Sequence, residues 1–562
     1  MGGVDVDDGR ARRQFEDVRR KAGPVENQLI DDLFAGEFDR KEFLQRGTAL
    51  GLSTSVISAA LVALGEAPVS LASPAVARAG GRIRVGINPA PAGAIEPILF
   101  ADTGSLSTGS ICGEFLTRAT KSLVLVPELA VGWTPNKDAR VWTFKLRPGV
   151  KFQNGQTLSA DDVVATYKRL TDPNSGSQAL SAFKGVLAPD GVQKGVDEAT
   201  VVFNLEAPTA SFPYLTSSTT YQAIILPATY QTGTFTAKPQ CTGAFKIASY
   251  TPGVGAKYDR FDAWWGGNAP FDGVDATYYP APAAADAALL SGSIDLYNEV
   301  SISTDRPLFN NPNIQIFVAR SASHREVPMR TDRPPFNDYR VRQAVALTLD
   351  RPALVKTLLG GFGDVGNDSP FAPVYPSTAR VAQRHKDIAK AKQLMAAAGR
   401  AKGFPITITV QADVDMPHYA EIMQRSVREI GINMQIRDEI DSVYFAGTPS
   451  TTPWLNTPIN ITGWGARAVP NVFLTSGFET GGVWNAAHYS NKRYDALAKS
   501  YLGAIAIKDQ RKYAKQIEQL LLHDTPVIIA YFGYNLAAGS KRVKGYSVGA
   551  NYEVYLSRTS LA

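Results

Sequence analysis

Residues 142–163 read WTFKLRPGVKFQNGQTLSADDV, and each part of that stretch dictates a local geometry. Val141–Leu146 alternates apolar and polar side chains, the pattern of a half-buried strand. Arg147-Pro148-Gly149 reads as a turn, and Asn154-Gly155 as a second, tight one. Ser159 then caps a helix over Ala160–Leu170. Asp161 and Asp162 fall in its first turn, where the helix dipole favours acids, and Asp162 stands three residues past Ser159 in a cap-like start. All of these features are structural, and none is catalytic.

Outward from that stretch, the chain reads as alternating helices and strands. Ile83–Asn88, Val201–Leu205, Phe245–Ser249, Ala276–Tyr279, Asn433–Arg437 and a closing Val527–Tyr531 are expected strands. Ala283–Leu290, Asp338–Leu359, Asp387–Ala398, His418–Ile430, Asn491–Leu502 and Asp509–Leu522 are expected helices. In the run Asp338–Leu359, Val341, Ala344, Val345 and Leu349 share one face. The alternation after residue 240 predicts α/β lobes with mixed sheets. A length of 562 residues exceeds what one core supports, so two or three lobes are expected. Apolar residues at 44% and charged residues at 20% describe an ordered chain rather than a disordered one. The net charge of +6 is spread over a large surface, which gives nucleic-acid binding little support.

The N-terminal region carries an export address. Residues 47–64 are uncharged and rich in small apolar side chains. Arg40, Lys41 and Arg46 precede them, and Ala75-Val76-Ala77 has the form of a signal-peptidase site. Cleavage there starts the mature chain near Arg78; a retained anchor is the alternative. No cysteine follows the apolar run, so a lipoprotein anchor is not expected. Residues 10–35 form an amphipathic helix upstream.

Several separated motifs, taken together, resemble one family. They are Pro127–Leu129 with Gly132-Trp133, the stretch Trp142–Val163, Thr242–Phe245, Trp264–Gly267, Pro335–Asp338 with Arg340–Ala344, Asp350-Arg351, Gly463-Trp464 and Ala487–Tyr489. Their order and spacing closely resemble family 5 solute-binding proteins, the oligopeptide-, dipeptide- and nickel-binding receptors of ABC importers, across essentially residues 80–560. Asp39–Leu44 resembles a twin-arginine export motif, with Lys41 where the second arginine belongs.

The resemblance implies an α/β periplasmic binding protein-like architecture of class II: two lobes joined by a hinge, plus an inserted domain. Residues 1–77 would be extension and signal peptide. Residues 78–112, 238–318 and 529–562 would form domain I, 113–237 the inserted domain II, and 319–528 domain III. Hinge closure would trap a small solute for an ABC permease in the inner membrane, by a monomeric, periplasmic protein with no cofactor, no metal and no nucleic-acid partner. Cys112 and Cys241 read by themselves as small buried hydrophobes. Their implied placement at the two crossovers between domains I and II opens a disulfide as the second reading.

In peptide-binding members a Gly-Trp-x-Ala-Asp loop supplies the carboxylate that pairs with the ligand ammonium. Here it reads Gly463-Trp464-Gly465-Ala466-Arg467, with an arginine in the aspartate's place. A guanidinium repels an ammonium and suits a carboxylate or phosphate. The ligand-binding set expected is therefore Trp464, Gly465, Ala466, Arg467, Trp484 and Asn485. Trp464 would be a wall, and Trp484 and Asn485 the opposite rim. The solute is expected to be peptide-like, opine-like or sugar-like, with an anionic or polyhydroxyl group near Arg467. Alternatively, Arg467 pairs with a protein carboxylate, or the loop takes another path. Trp265 is expected to pack near a lobe junction.

Other classes fit less well. No G-x-S-x-G elbow, S-x-x-K set or metal-ligand spacing is visible, which leaves a secreted hydrolase without its parts. A binding protein reporting to a sensor or chemoreceptor would present the same sequence as one feeding a transporter.

Overall fold

The computed structural model describes residues 80–412 and 415–562, together with Ile30. The export segment read at 47–77, the stretch Asp39–Leu44 and the helix read over 10–35 (Ile30 apart) lie outside the described residues. Among the described residues no helix is long and apolar enough to cross a membrane.

In chain order, β1 (Arg82–Ile87) comes first. An insertion follows with β2 (Thr117–Ala119), β3 (Leu125–Pro127), β4 (Ala130–Pro135), β5 (Val141–Leu146), β6 (Val192–Lys194) and β7 (Thr200–Asn204). The chain then returns through β8 (Phe245–Thr251), β9 (Gly255–Arg260), β10 (Gly273–Tyr278) and β11 (Leu296–Tyr297), and leaves along β12 (Ile314–Pro328). β13 (Gly363–Val365), β14 (Pro405–Gln411), β15 (Asn433–Glu439) and β16 (Asn460–Trp464) follow. β17 (Val527–Ser540) runs back, ahead of β18 (Val543–Lys544) and β19 (Ser560–Leu561).

One eleven-stranded sheet runs in the order β15-β14-β16-β12-β17-β11-β1-β10-β9-β8, with β13 on β17. β1 pairs parallel with β10 and β11 at one end; β14 pairs parallel with β15 and β16 at the other. Only the antiparallel β12–β17 ladder joins the two groups, and it does so through eleven residue pairs. Its register breaks between Ala319 and Ser323 and shifts again between His324 and Glu326. On one side of that break the ladder belongs with β11 and β1, on the other with β16 and β14. The result is an α/β protein of two lobes sharing two long strands. The insertion builds its own four-stranded antiparallel sheet, β4-β5-β7-β6.

Local chemistry explains the individual elements. Gly149 and Gly155 adopt φ +73° and +90°, the left-handed backbone that the two turns after β5 require. Asp162 accepts the N–H of Ser159 at 2.8 Å and fixes the start of the helix Ala160–Thr171. In the helix Met416–Arg428, Met416, Tyr419, Ala420, Met423 and Val427 form a buried stripe laid on β14 and β15. Each large side chain so buried contributes about 1.5–3 kcal/mol.

Two elements differ from expectation. Residues 338–359 form two helices, Tyr339–Ala346 and Arg351–Leu359. Pro352 has no N–H to continue a helix, while Asp350 accepts the N–H of Ala353 at 3.0 Å, so the pair starts a new one. The closing strand runs on from Tyr531 to Ser540, because β12 and β11 supply ladder partners for residues that carry no strand pattern of their own.

The far lobe is pinned by a buried charge cluster. Asp368 is fully buried and accepts Arg351 Nη2 on both oxygens, at 2.9 and 2.8 Å, and Arg384 Nη1 at 2.5 Å. These bonds tie the segment after β13 to the second helix of the broken pair. Asp368→Ala would leave two guanidiniums facing each other with their shared anion gone. It is expected to destabilise this lobe by about 3–5 kcal/mol, read by calorimetric melting of the variant against the parent. A loss below about 1 kcal/mol would contradict the pin.

Candidate functional site

A cavity of about 400 Å³ lies where the β12–β17 ladder passes between the lobes. Its floor is the ladder itself, Ser323–Arg325 from one strand and Tyr531 with Gly533–Asn535 from the other. Thr103 and Glu299 come from the near lobe, and Asp415, Gly465 and Ala466 from the far lobe. The far-lobe contribution follows from topology. β14 and β16 are parallel, so their carboxyl ends open on the same edge, the usual place for a ligand in an open α/β sheet.

Charged groups enter from both sides. Arg325 binds Asp415 through Nη2 at 2.6 Å and Nε at 2.7 Å, and Tyr531 donates its hydroxyl to the other Asp415 oxygen at 2.5 Å. Across the cavity, Thr103 donates to Glu299 Oε2 at 2.8 Å. Burial pushes the Glu299 carboxyl up to about 7, Thr103 opposing and nearby Asp305 adding to the shift.

Beneath the Gly465 loop is a layer of rings. His324 pairs with Trp464 across β12 and β16, their rings parallel with centroids 6.2 Å apart, and Phe473 meets His324 edge-on at 4.9 Å. Burial pushes the His324 imidazole down to about 4, so at neutral pH it is uncharged and donates Nδ1–H to the Ala322 carbonyl at 2.9 Å. Glu326, two residues on along the same face, is pushed up to about 8 by burial, against the opposing effect of Trp464.

Of the six residues expected to bind ligand, the structure places Gly465 and Ala466 on the cavity wall. Trp464 is 8% exposed and packs under that wall against His324, Phe473 and Trp484. Trp484 is thus a second layer behind Trp464. The Asn485 amide is committed to its own loop, donating to Glu479 O and Tyr489 O and accepting from Tyr489 N. Arg467 turns its guanidinium onto the Ala466 carbonyl at 2.9 Å, and its own carbonyl accepts from Tyr375. Outside the cavity, Trp264 and Trp265 donate their indole N–H groups to buried Glu114 at 2.9 and 2.8 Å, where the insertion meets the near lobe.

Glu299, Arg325, Asp415 and Tyr531 escaped the sequence reading. The one signal available was a polar run, Ser323–Glu326, late in the strand Ile314–Pro328. Among the described residues no three His, Cys, Asp or Glu side chains converge as metal donors would.

Two lobes joined by two shared strands, with an open cavity between them, are the architecture of a solute-binding protein. The sequence profile of bacterial extracellular solute-binding proteins, family 5, matches residues 124–486. The chain belongs to that family, whose members capture solutes for ABC importers. It is 26% identical to the oligopeptide-binding protein AppA of Bacillus subtilis, over 82% of this chain and 89% of that one. It is 25% identical to the glutathione-binding protein GsiB of Escherichia coli K12, over 88% and 97%. The solved structure of HbpA2 from Haemophilus parasuis superposes with a TM-score of 0.76 at 23% identity, covering 86% of this chain and all of that one.

Glu326 offers a pH test of the buried layer under the loop. Its carboxyl rises from 4.5 to about 8 on folding, so the folded state holds the extra proton. The stability it contributes is complete below pH 4.5 and is lost as pH rises through about 8. Glu326→Gln removes that dependence. Melting curves of parent and variant are expected to lie close at pH 5 and to separate by pH 9 with the variant the more stable. Parallel pH profiles would show Glu326 ionised at neutral pH.

Proposed function

We propose that this protein, exported and cleaved after Ala77, works as a monomer that captures a small polar organic solute in the cavity between its lobes. It closes about the break in the β12–β17 ladder and presents the solute unchanged to an ABC permease in the inner membrane. The observation that carries this reading is the composition of the cavity wall, which takes groups from both lobes and from the strands that join them. A solute held there favours the closed state by touching both sides at once. We take residues 78–112, 238–318 and 529–562 as the near lobe, 113–237 as the insertion and 319–528 as the far lobe.

The cavity size suits a short peptide or an organic solute of similar bulk. Relatives named for oligopeptide and glutathione binding support that range. Glu299 is the group that selects, because Thr103 occupies one of its oxygens and leaves the other to a solute N–H or ammonium. Arg325 is already engaged with Asp415 and presents a neutral pair. Arg467 organises the Gly465–Ala466 loop by holding its carbonyls, so the solute meets that loop's backbone, with Trp464 behind it.

The test is to purify the protein from its source, release the bound solute by denaturation, identify it by mass spectrometry and titrate it back calorimetrically. An intact solute is expected. Glu299→Ala should weaken its binding at least about tenfold, and Arg467→Ala by about threefold or less. The reverse order would put an anionic group of the solute on Arg467 instead. A chemically altered product would end the receptor reading. Deletion of the gene with uptake intact would favour service to a sensor.

A further inference from the structure

The two cysteines, 129 residues apart in sequence, meet at the junction between the near lobe and the insertion. Cys112 lies just after the helix Thr103–Ser110, where the chain departs into the insertion, and Cys241 lies just before β8, where it comes back. Both are buried, at 0% and 2% exposure, with their sulfurs in contact, Sγ to Sγ 2.7 Å.

The backbone around them is built for this approach and holds it without help from the sulfurs. Gly243 donates its N–H to the Cys112 carbonyl at 2.9 Å. A Cβ on Gly243 would stand 2.5 Å from that same oxygen, so a glycine is what lets the two segments lie this close. Gln153 adds a second clasp, donating its N–H to the Cys241 carbonyl at 2.8 Å and accepting the Cys241 N–H on its side chain at 3.3 Å.

We propose that Cys112 and Cys241 are a covalent modification site: in the exported protein they are joined as a disulfide that fastens both ends of the insertion to the near lobe. Two S–H bonds break and one S–S bond forms. The two electrons and two protons pass to the disulfide of an extracytoplasmic thiol oxidant, which leaves as a dithiol. An extracellular family provides the compartment in which such a bond persists. The bond forms while the chain is folding, since burial in the finished fold pushes the Cys241 thiol up and keeps both sulfurs from an external reagent. Its effect is to make the insertion and the near lobe move as one body, which confines opening and closing to the β12–β17 ladder.

The full chain, exported and purified without reductant, is denatured in an excess of an alkylating maleimide and digested. A cross-linked peptide pair carrying Cys112 and Cys241, with an intact mass two hydrogens below the dithiol, is expected. Alkyl groups on both cysteines without prior reduction would overturn the proposal. Melting gives a second reading. Unfolding in the presence of a reductant should shift the transition of the parent down by a few degrees, whereas Cys112→Ala should melt at one temperature with or without reductant. A parent insensitive to reductant would overturn the proposal as well.

Discussion

The β12–β17 ladder is the constraint on which everything else rests. Two strands of fifteen and fourteen residues are the only members of the large sheet that belong to both lobes, and their eleven pairs satisfy the backbone on either side of the break at Ala319–Ser323. A ladder with a complete complement of hydrogen bonds is stiff, and an irregular step in it is where curvature and twist concentrate. The break therefore does two things at once. It sets the angle between the lobes, and it turns Ser323, His324 and Arg325 toward the space the lobes enclose. On the proposed closure about this break, cavity and hinge are one structural feature.

Each lobe secures its own end of that ladder with a buried carboxylate between two arginines. Asp295, 1% exposed, takes Arg84 from β1 at 2.8 Å and Arg542, just past β17, at 2.9 Å. Asp368 does the same in the far lobe with Arg351 and Arg384. Such clusters add little net stability, since desolvation offsets most of the attraction. Their value is directional, because a paired buried charge tolerates one geometry where apolar packing accepts several. With both ends of the shared strands fixed this way, the freedom that remains lies at the break between them.

Sequence and structure agree best where a few neighbouring residues decide the outcome. The stretch from β5 to the following helix was legible because Gly149, Gly155 and the Ser159–Asp162 pair act within five residues of themselves, and the family resemblance rested on the same local chemistry. The extension of β17 through Phe532–Ser540 was not legible. Its small and polar residues form a strand only because partners more than two hundred residues away accept them. The charged groups of the cavity wall fall in the same class. Arg325 and Asp415 stand ninety residues apart, and Glu299 belongs to no motif, so only the sheet order brings them together. The Gly463–Arg467 motif does reach the cavity wall, through Gly465 and Ala466. Which atoms of that loop face the cavity depends on how Arg467 folds back on it, and no spacing encodes that.

The identity of residue 467 shapes the roles of the groups around the cavity. An aspartate side chain at 467 is too short and of the wrong charge to bind the Ala466 carbonyl, whereas the guanidinium can reach it and does, at 2.9 Å. The arginine thereby closes its own loop, and on the proposed reading it does not anchor the ligand. The cavity then has to draw its polarity from elsewhere, and the remaining wall supplies it unevenly. Arg325 and Asp415 neutralise one another on the far side, while Glu299 stands opposite without a cationic partner in any ion pair of the described residues. An acid raised to about 7 responds strongly to what enters beside it, since an arriving positive charge restores the ionisation that burial has suppressed. Recognition on the proposed reading rests on a carboxyl of the near lobe, across the cleft from the Gly465 loop of the far one.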